Sequence, residues 1–434
     1  MRERGNIYSD RDQAPMSAQL LSGNLRPLLL PYGETWRAFR KFAHNVTMHS
    51  AATTYQPLQE EEAIRLTHDL INEPAKYETF FERFAASVIM RLAFGVTLYT
   101  GKEESVVRIL RVVHNLERIA SPGAYLVDTF PILMYLPDFI APFKREGKLL
   151  HAEELDLFTS LIADVETRKQ SNDPSVSNTF TKRWLENKSE YALSDSQAAY
   201  VICTLFEAAS GTTSAAMMSF MLAMTLHPSA FSKLAAELDQ VVGDTRPPTF
   251  SDLPNLPYTR ACIKETLRWR PVTAGGIPHK LTIRDDIYDG YLISKGSLVH
   301  ANQWAIHREE SLYPSPEQFI PDRWLDPSYP TYREPLSTYP NIQNFSAFGF
   351  GRRICPGINI AERNLNIQVA MIAWACEIKE VEGKRPPEYD YTRGFNVQPR
   401  WFDFELVARQ GRGEVVRKEF ERVWGGRTGT KERM

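Results

Sequence analysis

A single cysteine carries the strongest chemical signal in this chain of 434 residues. Cys355 lies in the segment FGFGRRICPG, residues 348–357, directly before a stretch with helical spacing of its apolar residues. Glycines on both sides would let the backbone approach a flat partner closely. A helix N-terminus and the charges of Arg352 and Arg353 would both favour the thiolate form of the cysteine. The segment therefore predicts a reactive or metal-binding sulfur.

Three kinds of chemistry use such a thiolate: nucleophilic attack, zinc binding and haem ligation. Zinc needs several ligands, and the sequence places no other cysteine or histidine within ligand spacing of Cys355. A cysteine nucleophile needs a histidine base, which can come from a distant part of the chain, so spacing leaves that alternative open. The remaining cysteines, Cys203, Cys262 and Cys376, form no CxxC pair and fit a reducing compartment.

A second polar group interrupts the longest apolar run of the sequence, residues 201–226. The run is long enough to cross a membrane, but Glu207, Gly211 and the hydroxyl groups beside them favour a buried core helix instead. Glycine weakens a helix interior, and the hydroxyl of Thr212 can bond to a carbonyl of the preceding turn. We therefore expect a buried helix that widens locally around Gly211.

Composition and spacing predict the framework around these residues. The chain is 43% hydrophobic and 24% charged with a net charge of -2, which indicates a globular protein and argues against nucleic-acid binding. Its polar N-terminus predicts neither a signal peptide nor a membrane anchor. Apolar residues spaced three and four apart predict helices over residues 60–72, 78–94, 104–120, 153–169, 194–226, 258–270 and 358–374.

Short β-branched runs follow the helices between residues 275 and 305. Asp289-Gly290 predicts a tight hairpin turn there, and Lys295-Gly296 predicts a second turn. Prolines make residues 313–350 loop-like, and no linker or repeat divides the chain. We expect a mainly α fold with a minor β component, formed by residues 1–434 as a single domain.

The cysteine segment resembles the haem-binding signature of the cytochromes P450, F-x-x-G-x-R-x-C-x-G. The fixed positions match Phe348, Gly351, Arg353, Cys355 and Gly357. The resemblance implies haem b, iron protoporphyrin IX, as the cofactor, with Cys355 as the axial thiolate whose electron donation favours O–O cleavage. It also implies that Arg353 pairs with a haem propionate and that Phe348 shields the sulfur side of the ring.

Two further segments extend the resemblance. KETLRWRP contains the family's E-x-x-R pair as Glu265 and Arg268, and FIPDRWL, residues 319–325, is similar to its P-E-R-F element and supplies Arg323. The resemblance implies that these three side chains form a buried structural network rather than a catalytic one.

Residues 31–41, PYGETWRAFRK, carry the family's W-x-x-x-R pair as Trp36 and Arg40. Four-residue spacing puts both on one helix face, where an indole N–H and a guanidinium can bind one carboxylate. The resemblance implies that they contact haem propionates, and His279 in GGIPHKL resembles another propionate contact.

The central helix is similar to the family's A-G-x-D/E-T-T core. Thr212 matches the threonine that helps to deliver protons to bound oxygen, and Gly211 stands where the family has an acid. Glu207 lies one helical turn earlier, so a water relay from its carboxylate is an alternative source of protons. These residues are the predicted catalytic group.

The resemblance implies a fungal-type monooxygenase of secondary metabolism that oxidises a hydrophobic small molecule. It would use O2 and electrons from an NADPH-dependent cytochrome P450 reductase, on the cytosolic face of the endoplasmic reticulum membrane. Arg37 and Lys41 could dock the reductase or form a solvated basic face. The alternatives are a haem-thiolate isomerase or dehydratase that does not activate O2, and a truncated remnant that does not hold haem.

Substrate contacts are expected from five largely apolar segments, one of which, residues 121–143, could also rest on a membrane surface or pack as a buried loop. These segments are residues 20–30, 121–143, 206–213, 272–277 and 395–398. Residues 2–13 resemble the stretch that follows the family's membrane anchor and first strands. We therefore expect those elements to be missing and the remaining strands to have exposed edges.

Overall fold

Long helices with apolar faces build most of the protein, as the residue spacing predicts. The computed structural model describes residues 3–121 and 123–427, so Met1, Arg2, Pro122 and residues 428–434 of the predicted domain lie outside the described residues. The α-helices of the described residues are α1 (Glu34–Thr47), α2 (His49–Thr53), α3 (Gln56–Asn72), α4 (Tyr77–Phe94), α5 (Glu104–Ala120), α6 (Leu126–Thr129), α7 (Pro142–Gln170), α8 (Phe180–Glu186), α9 (Lys188–Tyr191), α10 (Asp195–Leu226), α11 (Pro228–Val241), α12 (Pro257–Trp269), α13 (Gln303–Ile306), α14 (Ile358–Ala375) and α15 (Arg412–Trp424).

Six predicted helices agree with the structure to within a few residues at each end. The exception is α7, which begins at Pro142 rather than at residue 153. Its first turns contain several charged residues and are only partly buried, so they lack the apolar spacing that predicts the rest of the helix. Short π-helical and 3-10 segments connect the α-helices. Pro15–Leu21 is a π-helix, and Pro321–Trp324 and Ser346–Phe348 are 3-10 turns.

Three small antiparallel sheets complete the described fold. They pair β1 (His279–Lys280) with β4 (Leu298–Val299), β2 (Asp286–Tyr288) with β3 (Tyr291–Ile293), and β5 (Cys376–Lys379) with β6 (Glu405–Ala408). Asp289 and Gly290 join β2 to β3 with φ angles of 49° and 80°. Positive φ at both positions is what a tight type I′ turn requires, so the predicted hairpin is confirmed.

The helix α10 forms the centre of the main core. Its N-terminus is closed by a capping box, in which Ser194 Oγ accepts from the Gln197 N–H and the Gln197 side chain accepts from the Ser194 N–H. Helices α4, α7 and α14 pack around it. No helix within the described ranges is both long and apolar enough to cross a membrane.

The π-helical segment packs tightly on α7. A Cβ atom at Gly147 of α7 would lie 2.6 Å from the Cβ of Leu20, which is closer than real side chains approach. Glycine is therefore needed at this position to bring the two segments together. The contact fixes the segment that leads to Arg26 against the helix that carries Glu154.

Candidate functional site

The segment around Cys355 is a closed loop. The Cys355 N–H donates to the Phe348 carbonyl at 2.9 Å. Gly349 and Gly351 inside the loop have φ angles of 81° and 57°, which L side chains rarely adopt. Phe348 is half-buried and packs against the main core. The loop therefore holds its cysteine on a backbone that only this glycine pattern allows.

Cys355 itself lies just outside the following helix. Helix α14 starts at Ile358 with Gly357 as its N-cap, so Cys355 and Pro356 both precede the helix. Burial raises the pKa of the Cys355 thiol, and the Gly357 N–H and the charge of Arg40 only partly oppose this. The expected depression of the pKa is therefore wrong for the polypeptide alone. A coordinating metal ion would supply the missing stabilisation, because it deprotonates a thiol outright.

Helix α1 fixes the cysteine loop at two points. The Arg40 guanidinium donates to the Ile354 carbonyl at 2.6 Å, and the Thr47 hydroxyl donates to the Pro356 carbonyl at 2.6 Å. These bonds fall on both sides of Cys355. The W-x-x-x-R helix and the cysteine loop are thus one rigid unit.

Three arginines around the loop share an unusual property. The guanidinium groups of Arg11, Arg40 and Arg353 form no ion pair with a carboxylate among the described residues, although the charge of Asp10 acts on Arg11 and Arg353. Arg353 instead donates to the carbonyls of Ser9 and Leu30 at 2.8 Å each, and its guanidinium lies 4.4 Å from the centre of the Trp36 ring. Buried cations without a counter-ion are costly. The arrangement is suited to receive an anionic group.

The pKa values reflect this excess of positive charge. Burial, with a smaller effect of Arg11, lowers the pKa of Arg353 to about 9. Burial also lowers the pKa of Arg11 to about 10. His279 is buried and its Nδ1–H donates to the Tyr8 carbonyl at 2.6 Å. Its pKa falls to about 4 because of burial first and of Arg11 second. An anion bound between Arg11, His279 and Arg353 would raise the pKa of each of these groups again.

One stripe of the central helix α10 is accessible although its other faces are buried. Ala208 is exposed, and Leu205, Ala209, Gly211 and Thr212 are partly accessible. Spacings of three and four residues place them on one side of the helix. The stripe marks a space inside the molecule that the other helices do not fill.

The glycine and threonine of this stripe both bear on the space beside α10. The Thr212 hydroxyl donates to the Ala208 carbonyl at 2.7 Å, as expected. The helix is α-helical throughout Asp195–Leu226. A Cβ atom at Gly211 would have no described atom within 4 Å apart from its own helix and chain neighbours, so the space arises from the missing side chain.

Glu207 has a partner that sequence reasoning missed. The Arg26 guanidinium donates to Glu207 through Nη1 and to Glu154 of α7 through Nη2. Burial raises the pKa of Glu207, and the charge of Arg26 opposes this. Nothing in the spacing along the sequence signals the group, because its members are 181 and 128 positions apart.

The structure brings Glu265, Arg268 and Arg323 together. Arg268 donates to Glu265 at 2.8 and 2.9 Å and Arg323 donates to it at 3.0 Å, with all three side chains fully buried. Glu265 also accepts from the Ile320 N–H and the Trp324 indole. Arg268 further donates to the His307 carbonyl and, in the proline-rich segment, to the carbonyls of Pro316 and Gln318.

That network reaches the cysteine loop through His307. Its ring stacks on Phe345 with 4.9 Å between ring centres, and its Nε2 lies 2.7 Å from the Ser346 hydroxyl. Phe345 and Ser346 directly precede the loop. Sequence reasoning missed His307 because only the tertiary contact reveals its role.

Two predicted substrate segments meet in the structure. The Val397 N–H donates to the Val272 carbonyl at 2.8 Å, and the Thr273 hydroxyl donates to the Asn396 amide oxygen at 3.2 Å. Asn396 also donates to Glu117 of α5 at 3.2 Å. Residues 272–277 and 395–398 therefore lie side by side, next to one of the helices that flank α10.

A zinc centre at the cysteine is not supported. Within residues 3–121 and 123–427, no group of three or more histidine, cysteine, aspartate or glutamate side chains could hold a metal ion. Arg40 is the charged group that acts on the Cys355 thiol. Of the chemistries that the sequence left open, ligation of a cofactor metal by one sulfur fits the geometry best.

Comparison with known proteins agrees with this geometry. A model of the family "Cytochrome P450" matches residues 1–406. Cytochrome P450 monooxygenase 58 of Postia placenta is 37% identical over 384 residues, which cover 88% of this chain and 72% of the relative. Cytochrome P450 monooxygenase fogE of Aspergillus ruber is 35% identical over 430 residues, covering 98% and 78% respectively.

A solved structure shows the same fold. A zebra fish cytochrome P450 in a structure with abiraterone aligns with a TM-score of 0.70 at 22% identity, over 94% of this chain and 90% of the other. Fold, site and family match together define an oxidoreductase of helix-rich architecture. The chain belongs to the cytochrome P450 family, and its fungal relatives are monooxygenases.

Members of this family carry haem, and the residues of this chain fit that group. Haem presents two propionate carboxylates, and the chain offers the buried Arg11 and the partly buried Arg40 and Arg353, whose guanidinium groups form no ion pair among the described residues. Haem iron takes a sulfur ligand, and Cys355 is partly accessible at the tip of a rigid loop. The open stripe of α10 leaves room for a flat group.

Glu265→Gln keeps the shape of the side chain but leaves two buried guanidinium groups without their counter-charge. We expect this variant to lose about 3 to 5 kcal/mol of unfolding free energy, measured by urea unfolding followed by circular dichroism. Glu414→Gln removes one carboxylate from an exposed pair on α15 and serves as the control, with little expected change. Equal stability of the two variants would contradict a central role for the buried network.

Proposed function

We propose that this protein is a haem-thiolate monooxygenase that oxidises a hydrophobic small molecule, with residues 1–434 acting as one haem domain. The observation that carries the proposal is the combination of Cys355 on a rigid loop with partly or fully buried arginines whose guanidinium groups form no ion pair in the described part of the chain. Haem b, when bound, supplies the redox and oxygen chemistry.

Several residues would hold the haem. Cys355 would supply the axial thiolate, and Arg40, Arg353 and His279 would bind the propionates with Trp36. Phe348, Gly351 and Gly357 would let the loop lie against the ring. Propionate binding would offset the burial that now lowers the pKa of Arg353 and His279.

The accessible stripe of α10 would orient substrate and protons. Leu205, Ala208 and Ala209 present apolar surface, and Thr212 is a polar member of the same stripe. Thr212 would hold a water molecule by accepting a hydrogen bond from it, because its own O–H is donated to the Ala208 carbonyl. With glycine in place of the family's acid, Thr212 has no carboxylate at the preceding position, so protons must come from elsewhere.

Apolar side chains from several segments support a hydrophobic substrate. Val272, Ile277, Phe395 and Val397 are partly accessible and lie on the two segments that meet beside α5. Apolar pockets with few polar groups select ligands by shape. A polycyclic or terpenoid compound of fungal secondary metabolism fits this lining.

A membrane surface and a reductase are the proposed partners. Six large apolar side chains between residues 123 and 143 are more than half exposed, namely Leu126, Phe130, Ile132, Tyr135, Phe139 and Ile140. Their exposure favours contact with a membrane over buried loop packing, in line with a location on the cytosolic face of the endoplasmic reticulum. Arg37 and Lys41 are half-exposed on α1 and suit an acidic reductase that delivers electrons from NADPH.

The spectrum of the reduced, carbon monoxide-bound protein tests the haem ligand. Cys355→Ser should abolish the thiolate-type Soret band, because serine does not replace the sulfur ligand. Cys376→Ala at the other end of α14 should keep the band. A thiolate-type band in the Cys355→Ser protein would falsify the assignment.

Isotope labelling separates a monooxygenase from an isomerase or dehydratase. The haem-loaded protein is incubated with NADPH, a fungal reductase and a panel of polycyclic and terpenoid compounds under labelled O2. We expect one labelled oxygen atom in the product and no product without O2. Product that forms without O2 or reductase would instead support the isomerase alternative.

Gly211→Asp tests whether the missing acid matters. The space beside Gly211 accepts the side chain without displacing any described atom, so the fold should tolerate it. We expect fewer NADPH molecules consumed per molecule of product, because the carboxylate adds a proton donor next to Thr212. Gly211→Asn has the same shape without the charge and should leave the ratio near the wild-type value. If Gly211→Asp and Gly211→Asn consume the same amount of NADPH per molecule of product, the carboxylate itself contributes nothing.

A further inference from the structure

We propose that Glu117 of α5 is a specificity-determining residue, whose carboxylate accepts a hydrogen bond from a hydroxyl or amine of the substrate. The inference rests on the proposed function and narrows its substrate class to hydrophobic compounds that carry such a donor. Glu117 lies outside the segments from which the sequence predicts substrate contacts.

Glu117 continues the inward face of α5. Val106, Ile109 and Val113 form the buried part of that face. Glu117 follows Val113 by four residues, which places it on the same side of the helix, yet its side chain is partly accessible. The hydroxyl of Ser121 donates to the Glu117 carbonyl at 2.7 Å and closes the last turn of α5. The helix therefore directs a carboxylate inward at the point where its apolar face ends.

One amide connects Glu117 to the two predicted substrate segments that meet beside α5. Asn396 donates through Nδ2 to Glu117 Oε1 at 3.2 Å and accepts through Oδ1 from the Thr273 hydroxyl at 3.2 Å. The backbone bond from the Val397 N–H to the Val272 carbonyl, at 2.8 Å, fixes the two segments against each other. The carboxylate is therefore held where three separate parts of the chain meet.

The orientation of this amide is determined by its neighbours. An ionised carboxylate only accepts hydrogen bonds, so the amide nitrogen of Asn396 must face Glu117 and its oxygen must face Thr273. Thr273 lies in a turn in which its carbonyl accepts from the Gly276 N–H at 3.0 Å. The Trp304 N–H donates to the Ala274 carbonyl at 2.9 Å and ties this turn to α13. The polar group around Glu117 is thus preorganised.

Most of the hydrogen-bonding capacity of Glu117 is unused. An ionised carboxylate accepts about four hydrogen bonds, and among the described residues only the Asn396 amide donates to this one. No lysine, arginine or histidine of residues 3–121 and 123–427 forms an ion pair with it, and the adjacent Arg118 pairs with Glu146 instead. The carboxylate therefore offers accepting oxygen atoms to a further donor.

The surroundings of this carboxylate are largely apolar. Val272, Ile277, Phe395 and Val397 lie on the two adjoining segments and are partly accessible. Apolar pockets rely on a few polar groups to fix the orientation of a ligand. A substrate that donates a hydrogen bond to Glu117 can keep the rest of its surface against these apolar side chains.

The kind of acceptor selects the kind of substrate group. A hydroxyl or an amine donates a hydrogen bond to a carboxylate, an ether or a ketone does not, and an acid is repelled by its like charge. The second N–H of Asn396 is available to the oxygen of the same hydroxyl. The site therefore favours hydrophobic alcohols first and amines second over hydrocarbons, ethers and acids.

Calorimetric binding of two matched ligands tests this subsite without turnover. 1-Adamantanol and 1-methoxyadamantane share one apolar skeleton, but only the alcohol donates a hydrogen bond. The haem-loaded protein should bind the alcohol about tenfold more tightly than the ether or better, because hydrogen bonds to charged groups are the strong ones. Equal affinity for the two compounds, or binding of neither, overturns the subsite.

Substitutions of Glu117 separate recognition from a structural role. Glu117→Gln keeps an oxygen that accepts from Asn396 and should reduce the preference for the alcohol several-fold, because a neutral acceptor is weaker. Glu117→Leu should abolish the preference, and affinity for the ether should not fall in either variant. A parallel loss of affinity for alcohol and ether overturns the inference, since it shows that Glu117 only holds α5 in place.

Matched controls come from the same helix. Glu104 is exposed in the first turn of α5, so Glu104→Gln and Glu104→Leu should keep the wild-type preference for the alcohol. A similar loss of preference in these controls contradicts a specific role of Glu117.

The binding experiment needs neither O2 nor a reductase, so it fails independently of the proposed function. If the preference for the alcohol depends on Glu117 but no compound gives labelled product, the subsite stands and the monooxygenase proposal fails. If labelled product forms but alcohol and ether bind equally, the monooxygenase proposal stands and the subsite fails.

Discussion

The buried carboxylate of Glu265 is the interaction on which the rest of the site depends. It is fully buried and is surrounded by two guanidinium groups, an indole N–H and a backbone N–H. Because Arg268 also binds carbonyls of the proline-rich segment, one charge centre on α12 fixes a long stretch without regular structure. That stretch leads through His307 and Phe345 to the cysteine loop. The position of the sulfur therefore depends on a charge network far from it in sequence.

The sequence predicts those parts of the molecule that local rules decide. Apolar spacing locates the long helices, and Asp289-Gly290 locates a hairpin because positive φ angles favour these residues. The cysteine loop is recognisable because its glycines and cysteine are contiguous. The ion pairs of Arg26 are invisible in sequence, since a charge pattern does not reveal which distant acid is its partner.

The lowered pKa predicted for Cys355 is wrong for a similar reason: the sequence does not show tertiary burial. A helix N-terminus and nearby arginines are local features, and both favour a thiolate. Burial is a tertiary property, and it outweighs them in the polypeptide alone. The arginines also point away from the sulfur: Arg353 binds the carbonyls of Ser9 and Leu30 and packs on Trp36. The charge of Arg353 is thus directed at these carbonyls and at Trp36, and Arg40 only partly offsets the effect of burial on the thiol.

The single accessible stripe of α10 also bears on how such a protein diversifies. Residues on its buried faces contact the core, so replacing them disturbs packing throughout the molecule. Leu205, Ala208 and Ala209 face open space, and larger or smaller side chains there alter the shape of that space at little cost to folding. Selection can therefore reshape this space through a few positions of one helix while the scaffold stays constant.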